Sequence, residues 1–143
     1  MLSTPTKRVK MLGDADREHL EQCALIEWVR LNEHIEPRLR LLFAVPNGGR
    51  RSMWEGKRFK AEGVVAGVPD LCLPAASAGH LYCALMIEMK APGSKPRKNQ
   101  QEWARNALGK GPLVVWHDSW VAAAREICVY LGPTALVPPA TKT

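Results

Sequence analysis

No run of about 18 apolar residues occurs in the 143-residue chain, so no transmembrane helix is expected. The first ten residues, Met1 to Lys10, lack the apolar segment of a signal peptide, and secretion is not expected. The four cysteines (Cys23, Cys72, Cys83 and Cys128) form no C-x-x-C pair, which argues against a zinc knuckle or a thioredoxin-type site. They read as reduced, mostly buried small hydrophobes of a cytosolic protein. The four histidines (His19, His34, His80 and His117) make no H-E-x-x-H or H-x-E…C-x-x-C pattern, so zinc hydrolases and deaminases fall away. No internal repeat is visible. Residues 61–89 contain three acids and no lysine or arginine at all.

What is present fits one soluble globular domain: 46% apolar residues, 24% charged, and a length sufficient for a core without staples. The net charge of +6 is unevenly placed. Residues 1–36 carry net −2, residues 37–60 net +6, residues 61–89 net −3 and residues 90–143 net +5. Basic blocks thus flank an acidic stretch that holds Asp70 and Glu88. Such a surface suits a polyanion that must meet a metal; the plainer alternative is a set of solvated faces.

Along the chain, residues 1–13 read as a disordered start and 133–143 as a loose, Pro-rich end, leaving a domain over 14–132. Asp14 or Asp16 can cap a helix that runs to about Asn32. Two stripes compete for its inner face: Leu20, Ala24, Trp28 and Leu31, or Glu18, Gln22, Leu25 and Val29. Arg38 to Val45 reads as a strand, Pro46 to Gly49 as a loop, and Arg50 to Ala61 as a short helix with Gly63 as its C-cap. Asp70 heads a short strand stopped by Pro74, and Leu81 to Lys90 is the strongest strand. Ala91 to Lys98 is a basic loop. Asn99 can cap a helix to about Leu108, Leu113 to His117 is a strand, and Ser119 caps a last helix to about Leu131. Helices around mixed strands predict an α/β fold, a sheet covered on both faces. The strand at 81–90, the following helix and the strand at 113–117 make a βαβ unit.

Strand alternation puts Glu88 and Lys90 on one face, roughly 7 Å apart along the backbone, with Leu85, Ile87 and Met89 on the other. A hairpin between the two central strands would set Asp70 beside Glu88. Two carboxylates with an ammonium nearby make a hard-oxygen site for Mg²⁺ or Mn²⁺. Phosphodiester hydrolysis needs such a site, because phosphoryl charge must be neutralised and a water activated. An E-x-K pair alone is equally a surface ion pair. The Pro69-Asp70 dipeptide eighteen residues upstream, the apolar strand between, and a basic loop ahead of Gln100 strengthen the first reading.

These residues resemble the VRR-NUC family of the PD-(D/E)XK nucleases, over roughly Glu18 to Leu131. The matching stretches are Glu18-x-x-x-Gln22, Asn47-Gly48-Gly49, Gly63 to Asp70, Ile87-Glu88-Met89-Lys90, and Gln100 ahead of Trp103. The resemblance implies a restriction-endonuclease-like core, a central mixed sheet flanked by helices. It implies a catalytic set of Asp70, Glu88, Lys90, Gln100 and Glu18, with Asp70, Glu88 and Glu18 on the metal. Glu27, on the other stripe, and Gln101, beside Gln100, compete for two of these places. The family often reads Ser-Pro-Glu-Gln before this helix, where the present chain has Arg97-Lys98-Asn99-Gln100.

For DNA contacts, Asn47, Gly48, Arg50 and Arg51 offer flexible N–H groups and guanidinium groups. Lys57 and Lys60 follow with Arg58, and Lys95, Arg97 and Lys98 lie near the proposed metal; singly, each base can serve solubility. Trp54 and Trp103 read as core or interface anchors rather than base-stacking platforms. The resemblance points to a metal-dependent, structure-selective endonuclease. A free-standing domain of this size would act on branched DNA, a four-way (Holliday) junction, as a homodimer. It would be encoded by a phage or prophage and work in the bacterial cytoplasm, with no membrane partner. A flap-cutting or nicking nuclease and a non-catalytic DNA-binding module are the alternatives.

Overall fold

The computed structural model describes residues 12–46 and 53–141. The chain opens with α1 (Asp14–Asn32), a short 3₁₀ turn (Pro37–Leu41), β1 (Phe43–Ala44) and α2 (Met53–Ala61). It continues through β2 (Leu71–Leu73), β3 (Ala84–Met89), α3 (Lys98–Ala107), β4 (Pro112–His117) and α4 (Trp120–Leu131). The four strands form one mixed sheet in the order β1-β2-β3-β4. The first two pairings are antiparallel and β3–β4 is parallel, with α3 as the crossover.

One face of the sheet carries the core. Leu71, Leu73, Leu85, Ile87 and Met89 pack against Leu25, Trp28 and Val29 of α1 and Ala123, Ala124, Ile127 and Tyr130 of α4. Neither stripe is buried as a whole: Leu25 and Val29 of one and Trp28 of the other are buried, while Leu20 and Leu31 are exposed. Glu18 and Glu21, half-buried towards the helix's N-terminal end, lie over the sheet margin, where main-chain donors need acceptors. Glu18 Oε1 accepts from the Ala91 N–H at 3.2 Å, and Glu21 Oε2 accepts from the Trp120 N–H at 2.6 Å, at the start of α4. The N-cap of α1 is Gly13 rather than Asp14 or Asp16, and Asp16 reaches back to the Gly13 N–H at 3.3 Å.

Where the sequence predicts a strand over 38–45, the chain forms the 3₁₀ turn and only two residues of strand. Buried Glu36 explains this. Its carboxylate accepts from the Arg38 N–H and holds the guanidinium with two further bonds of 2.8 Å, while Pro37 fixes the first turn. The predicted helix after residue 50 is described from Met53 and ends as expected at Gly63. There the Val64 N–H bonds Phe59 O and the Gly63 N–H bonds Lys60 O, a Schellman closure that the positive φ of Gly63 permits. Helix α3 starts at Lys98, one residue before the predicted cap. Its N-cap is Arg97, and Asn99 instead bonds the neighbouring Gln100 N–H. Ser119 caps α4 as expected, accepting from the Ala122 N–H at 3.2 Å.

The β2–β3 connection is tied at its far end. Ser77 N–H bonds Tyr82 O and Tyr82 N–H bonds Ser77 Oγ, each at 2.9 Å. Tyr130 of α4 donates its hydroxyl to Ala75 O at 2.6 Å. Burial pushes that phenol up to about 12, so it remains a donor at ordinary pH. Leu136, in the segment expected to be loose, is buried against the core. Among the described residues no helix is long and apolar enough to cross a membrane.

Candidate active site

The β2–β3 register sets the site. Leu71 opposes Ile87, so antiparallel pairing carries Asp70 to the position opposite Glu88. Asp70 is held on both sides: its carbonyl accepts from the Val45 N–H at 2.7 Å, and its Oδ2 from the Met89 N–H at 3.0 Å. Glu88 and Lys90 occupy the sheet face opposite the core, as strand alternation predicts, and both are nearly inaccessible. Lys90 Nζ lies 2.9 Å from Glu88 Oε1. The same oxygen accepts from Gln100 Nε2 of α3.

Gln100 has a second attachment. Its Oε1 accepts from the Arg97 N–H at 2.7 Å, which closes the first turn of α3. With the carbonyl end occupied by a main-chain donor, the amide NH₂ end is left to face Glu88. Gln101 turns elsewhere, to Pro96 O at 2.8 Å. Of the two adjacent glutamines, only Gln100 reaches the carboxylates.

Asp70, Glu88, Lys90, Gln100 and Glu18 line one cavity of about 230 Å³, with Ala66, Gly67, Val68, Arg97 and Asn99 completing the wall. Gly67 is where the loop after α2 crosses the start of α3. Its φ is +90°, and a Cβ there would collide with the Asn99 carbonyl. Sequence reasoning singled out Gly67 only as part of a stretch, and Asn99 only as a cap. Nothing but the packing reveals that the two touch.

The electrostatics are those of crowded anions. Burial, then the charge of Asp70, push the Glu88 carboxyl up to about 7, against the pull of Lys90. Burial likewise raises Asp70; the Met89 N–H and Lys90 oppose this, and Glu18 adds to it. A corner that drives two carboxyls toward protonation while offering hard oxygen donors is one in which an added cation is stabilising. The residues present thus fit a divalent ion. Glu18 shares the cavity but is engaged with Ala91, and among the described residues no three His, Cys, Asp or Glu side chains close into a ready ligand set. Glu27 is exposed on the outer side of α1, away from the cavity.

The basic residues are distributed around this corner. Arg97 lines the acidic cavity and also a neighbouring one of about 170 Å³ formed with Asp14, Glu18, Lys90, Ser94 and Lys95. Lys98 is exposed at the start of α3, and Lys57 and Lys60 are exposed on α2. Asn47, Gly48, Arg50 and Arg51 lie outside the described residues. Trp54 is not a core anchor: it is 81% exposed. Trp103 is half-buried. Trp116, opposite Glu88 in the parallel β3–β4 register, lies on the same side of the sheet as the acidic pair and was not foreseen as a neighbour.

The chain was compared with known proteins. The model of the VRR-NUC domain family matches residues 9–116. A solved structure described as a VRR_NUC domain protein superposes with a TM-score of 0.57 at 24% identity, covering 80% of this chain and 89% of that one. That likeness speaks for the fold: a mixed four-stranded sheet flanked by helices. No curated protein matches at a significant level. The family match spans β2, β3 and α3, the elements that build the acidic cavity, and the chain belongs to the VRR-NUC family of nuclease-type domains.

Proposed function

We propose that the protein is a divalent-metal-dependent endonuclease selective for branched DNA, and that the cavity between β2, β3 and α3 is its active site. The observation that carries this reading is the meeting of Asp70, Glu88, Lys90 and Gln100 at one buried corner of a nuclease-family chain. Asp70 and Glu88 would hold the ion, Mg²⁺ or Mn²⁺, with Glu18 joining from α1. When bound, the ion supplies charge neutralisation at the phosphoryl oxygens and acidifies a water.

The chain's own groups have separate tasks. Water oxygen bonds to phosphorus, the P–O ester bond on the opposite side breaks, and a proton passes to the departing oxygen. Lys90 would place its ammonium beside the equatorial oxygens as their charge grows, held there by its contact with Glu88. Gln100 fixes the Glu88 carboxylate from one side while Lys90 fixes it from the other. Arg97, Lys95 and Lys98 bring the backbone of the cleaved strand to the corner, and Lys57 and Lys60 extend the positive surface. Asn47, Gly48, Arg50 and Arg51 belong to the same proposed DNA surface.

A site that holds one acidic corner needs a second copy to cut two strands. A homodimer with two-fold symmetry would place two such corners on a symmetric four-way junction. In this reading the protein acts in the cytoplasm of a bacterium carrying its phage or prophage. The test is cleavage of end-labelled four-way junction, 5′ flap, splayed arm, linear duplex and single strand, with Mg²⁺ or Mn²⁺ and with chelator. Paired symmetric cuts in the junction, absent with chelator and in Glu88→Ala, are expected. Cuts in flaps alone would retain the site and overturn the junction specificity; no cleavage of any DNA would overturn the enzyme.

A further inference from the structure

Helix α2 is the part of the molecule that its own fold leaves unused. None of its residues is buried, and Met53 and Trp54 are each 81% exposed. The chain's other four tryptophans are buried or half-buried. A large aromatic held almost wholly in water at a helix start adds little packing to the core, and beside Met53 and the cations of α2 it is open to a ligand.

Helical spacing sorts the residues of α2 into two faces. Trp54, Glu55, Lys57, Arg58 and Ala61 line one groove, in which two cations outnumber the single carboxylate. Gly56, Phe59 and Lys60 line another of about 530 Å³, closed by Gly63, Val64, Val65 and Ala66. Ala66 also lines the acidic cavity, so the α2 surface runs into the proposed active site without a break. The charge of α2 is positive. Arg58 pairs with Glu62 at 2.8 Å, and Lys57 and Lys60 enter no ion pair among the described residues. A second copy docked helix to helix across a two-fold axis would bring these same cations together, whereas a polyanion is attracted to them.

We propose that α2 reads the branch of the DNA substrate, with Trp54 stacking on an unpaired base while Lys57 and Lys60 follow the adjoining phosphates. This rests on the nuclease reading above. Inside a duplex the faces of the bases are covered by their neighbours. At a fork or crossover they are open, and an aromatic ring flanked by cations is a stacking platform for them. Structure selectivity then arises from α2, one loop away from the chemistry.

The experiment is a titration of labelled four-way junction, splayed arm and linear duplex in chelator, comparing wild type, Trp54→Ala and Trp54→Phe. Trp54→Ala should weaken binding to the junction and the splayed arm about ten-fold, and to linear duplex less than two-fold. Trp54→Phe should keep most of the affinity. Tryptophan emission should be quenched by the splayed arm in wild type and not in Trp54→Ala. Equal weakening on every DNA, or none, would overturn the proposal. So would a shift from dimer to monomer in sedimentation with unchanged DNA preference, which would make α2 a face between copies. Failure of the nuclease reading is separate: wild type would cleave no DNA with either metal, whatever Trp54 does.

Discussion

The acidic corner and helix α2 follow opposite rules. At the corner the acidic groups are buried or half-buried and each has a partner: Glu88 has Lys90 and Gln100, Asp70 the Met89 N–H, Glu18 the Ala91 N–H. On α2 Met53 and Trp54 stand in water, and Lys57 and Lys60 enter no ion pair among the described residues. The corner is preorganised, with its geometry fixed before any substrate arrives, as electrostatic stabilisation of a transition state requires. The helix exposes most of its surface and is suited to a partner whose shape varies. If the proposed function holds, this pairing of a rigid corner with an open contact surface would restrict one hydrolytic site to particular DNA shapes.

That contrast can be broken first at Glu88. Glu88→Ala should reduce cleavage at least about a thousand-fold, as expected when a group acting on the transition state is lost. It should also destabilise by about 3–5 kcal/mol, because Lys90 is left buried and unpaired. Glu88→Gln should lose the same activity with a smaller stability change, and gel cleavage assays with urea unfolding measure both. If α2 carried the chemistry instead, cleavage would survive these changes.

Gly67→Ala should come next, at about 2–4 kcal/mol of stability, since the new Cβ meets the Asn99 carbonyl and the backbone is left-handed there. Activity should fall with it, because the displaced start of α3 carries Gln100. Thermal unfolding and cleavage rate measured together would show this, and retained activity would argue that the Gly67–Asn99 crossing does not position the site.

The corner should also reveal itself by pH. Glu88 in the folded chain titrates near 7, above its unfolded value, so the stability it contributes is complete below about pH 4.5 and is lost as pH rises through 7. In chelator, wild type should lose stability over that window, and Glu88→Gln should lose less. Identical pH profiles for the two proteins would place the buried charge elsewhere. The smallest effect belongs to α2. Lys57→Ala with Lys60→Ala should leave stability within about 0.5 kcal/mol while lowering the slope of log affinity against log salt by about 2. A clear loss of stability would mean that α2 packs in the folded protein after all.

Much of the corner was legible in the sequence because it depends on patterns with fixed periods. Alternation put Glu88 and Lys90 on one strand face, and the apolar runs either side of Pro74 implied the hairpin that faces Asp70 to Glu88. Where two periods competed, as on α1, the sequence could not choose between them. The helix buries Trp28 from one stripe and Leu25 and Val29 from the other, and main-chain donors at the sheet margin meet Glu18 and Glu21. The Glu36–Arg38 clamp was illegible as a strand breaker, because a side-chain ion pair two residues apart leaves the apolar pattern of 38–45 intact. Gln100's two attachments were equally hidden. Its match to the family motif pointed to the glutamine that meets Glu88, but the bond to the Arg97 N–H follows from where α3 begins. Trp54 misled for a simpler reason: aromatic residues usually go inside, and nothing local marks one that does not.

The knot of bonds around Ala75, Ser77, Tyr82 and Tyr130 lies at the opposite end of the hairpin from the carboxylates. It nevertheless acts as the hairpin's registration mark. Slipping β2 by a single residue against β3 would leave Asp70 facing a residue whose side chain points to the core, and the pair would be split between the two sides of the sheet. Insertions and deletions between Pro74 and Cys83 therefore act at a distance: they change no residue of the acidic cavity, yet they decide whether its two halves meet. A hydroxyl on the last helix keeps the count.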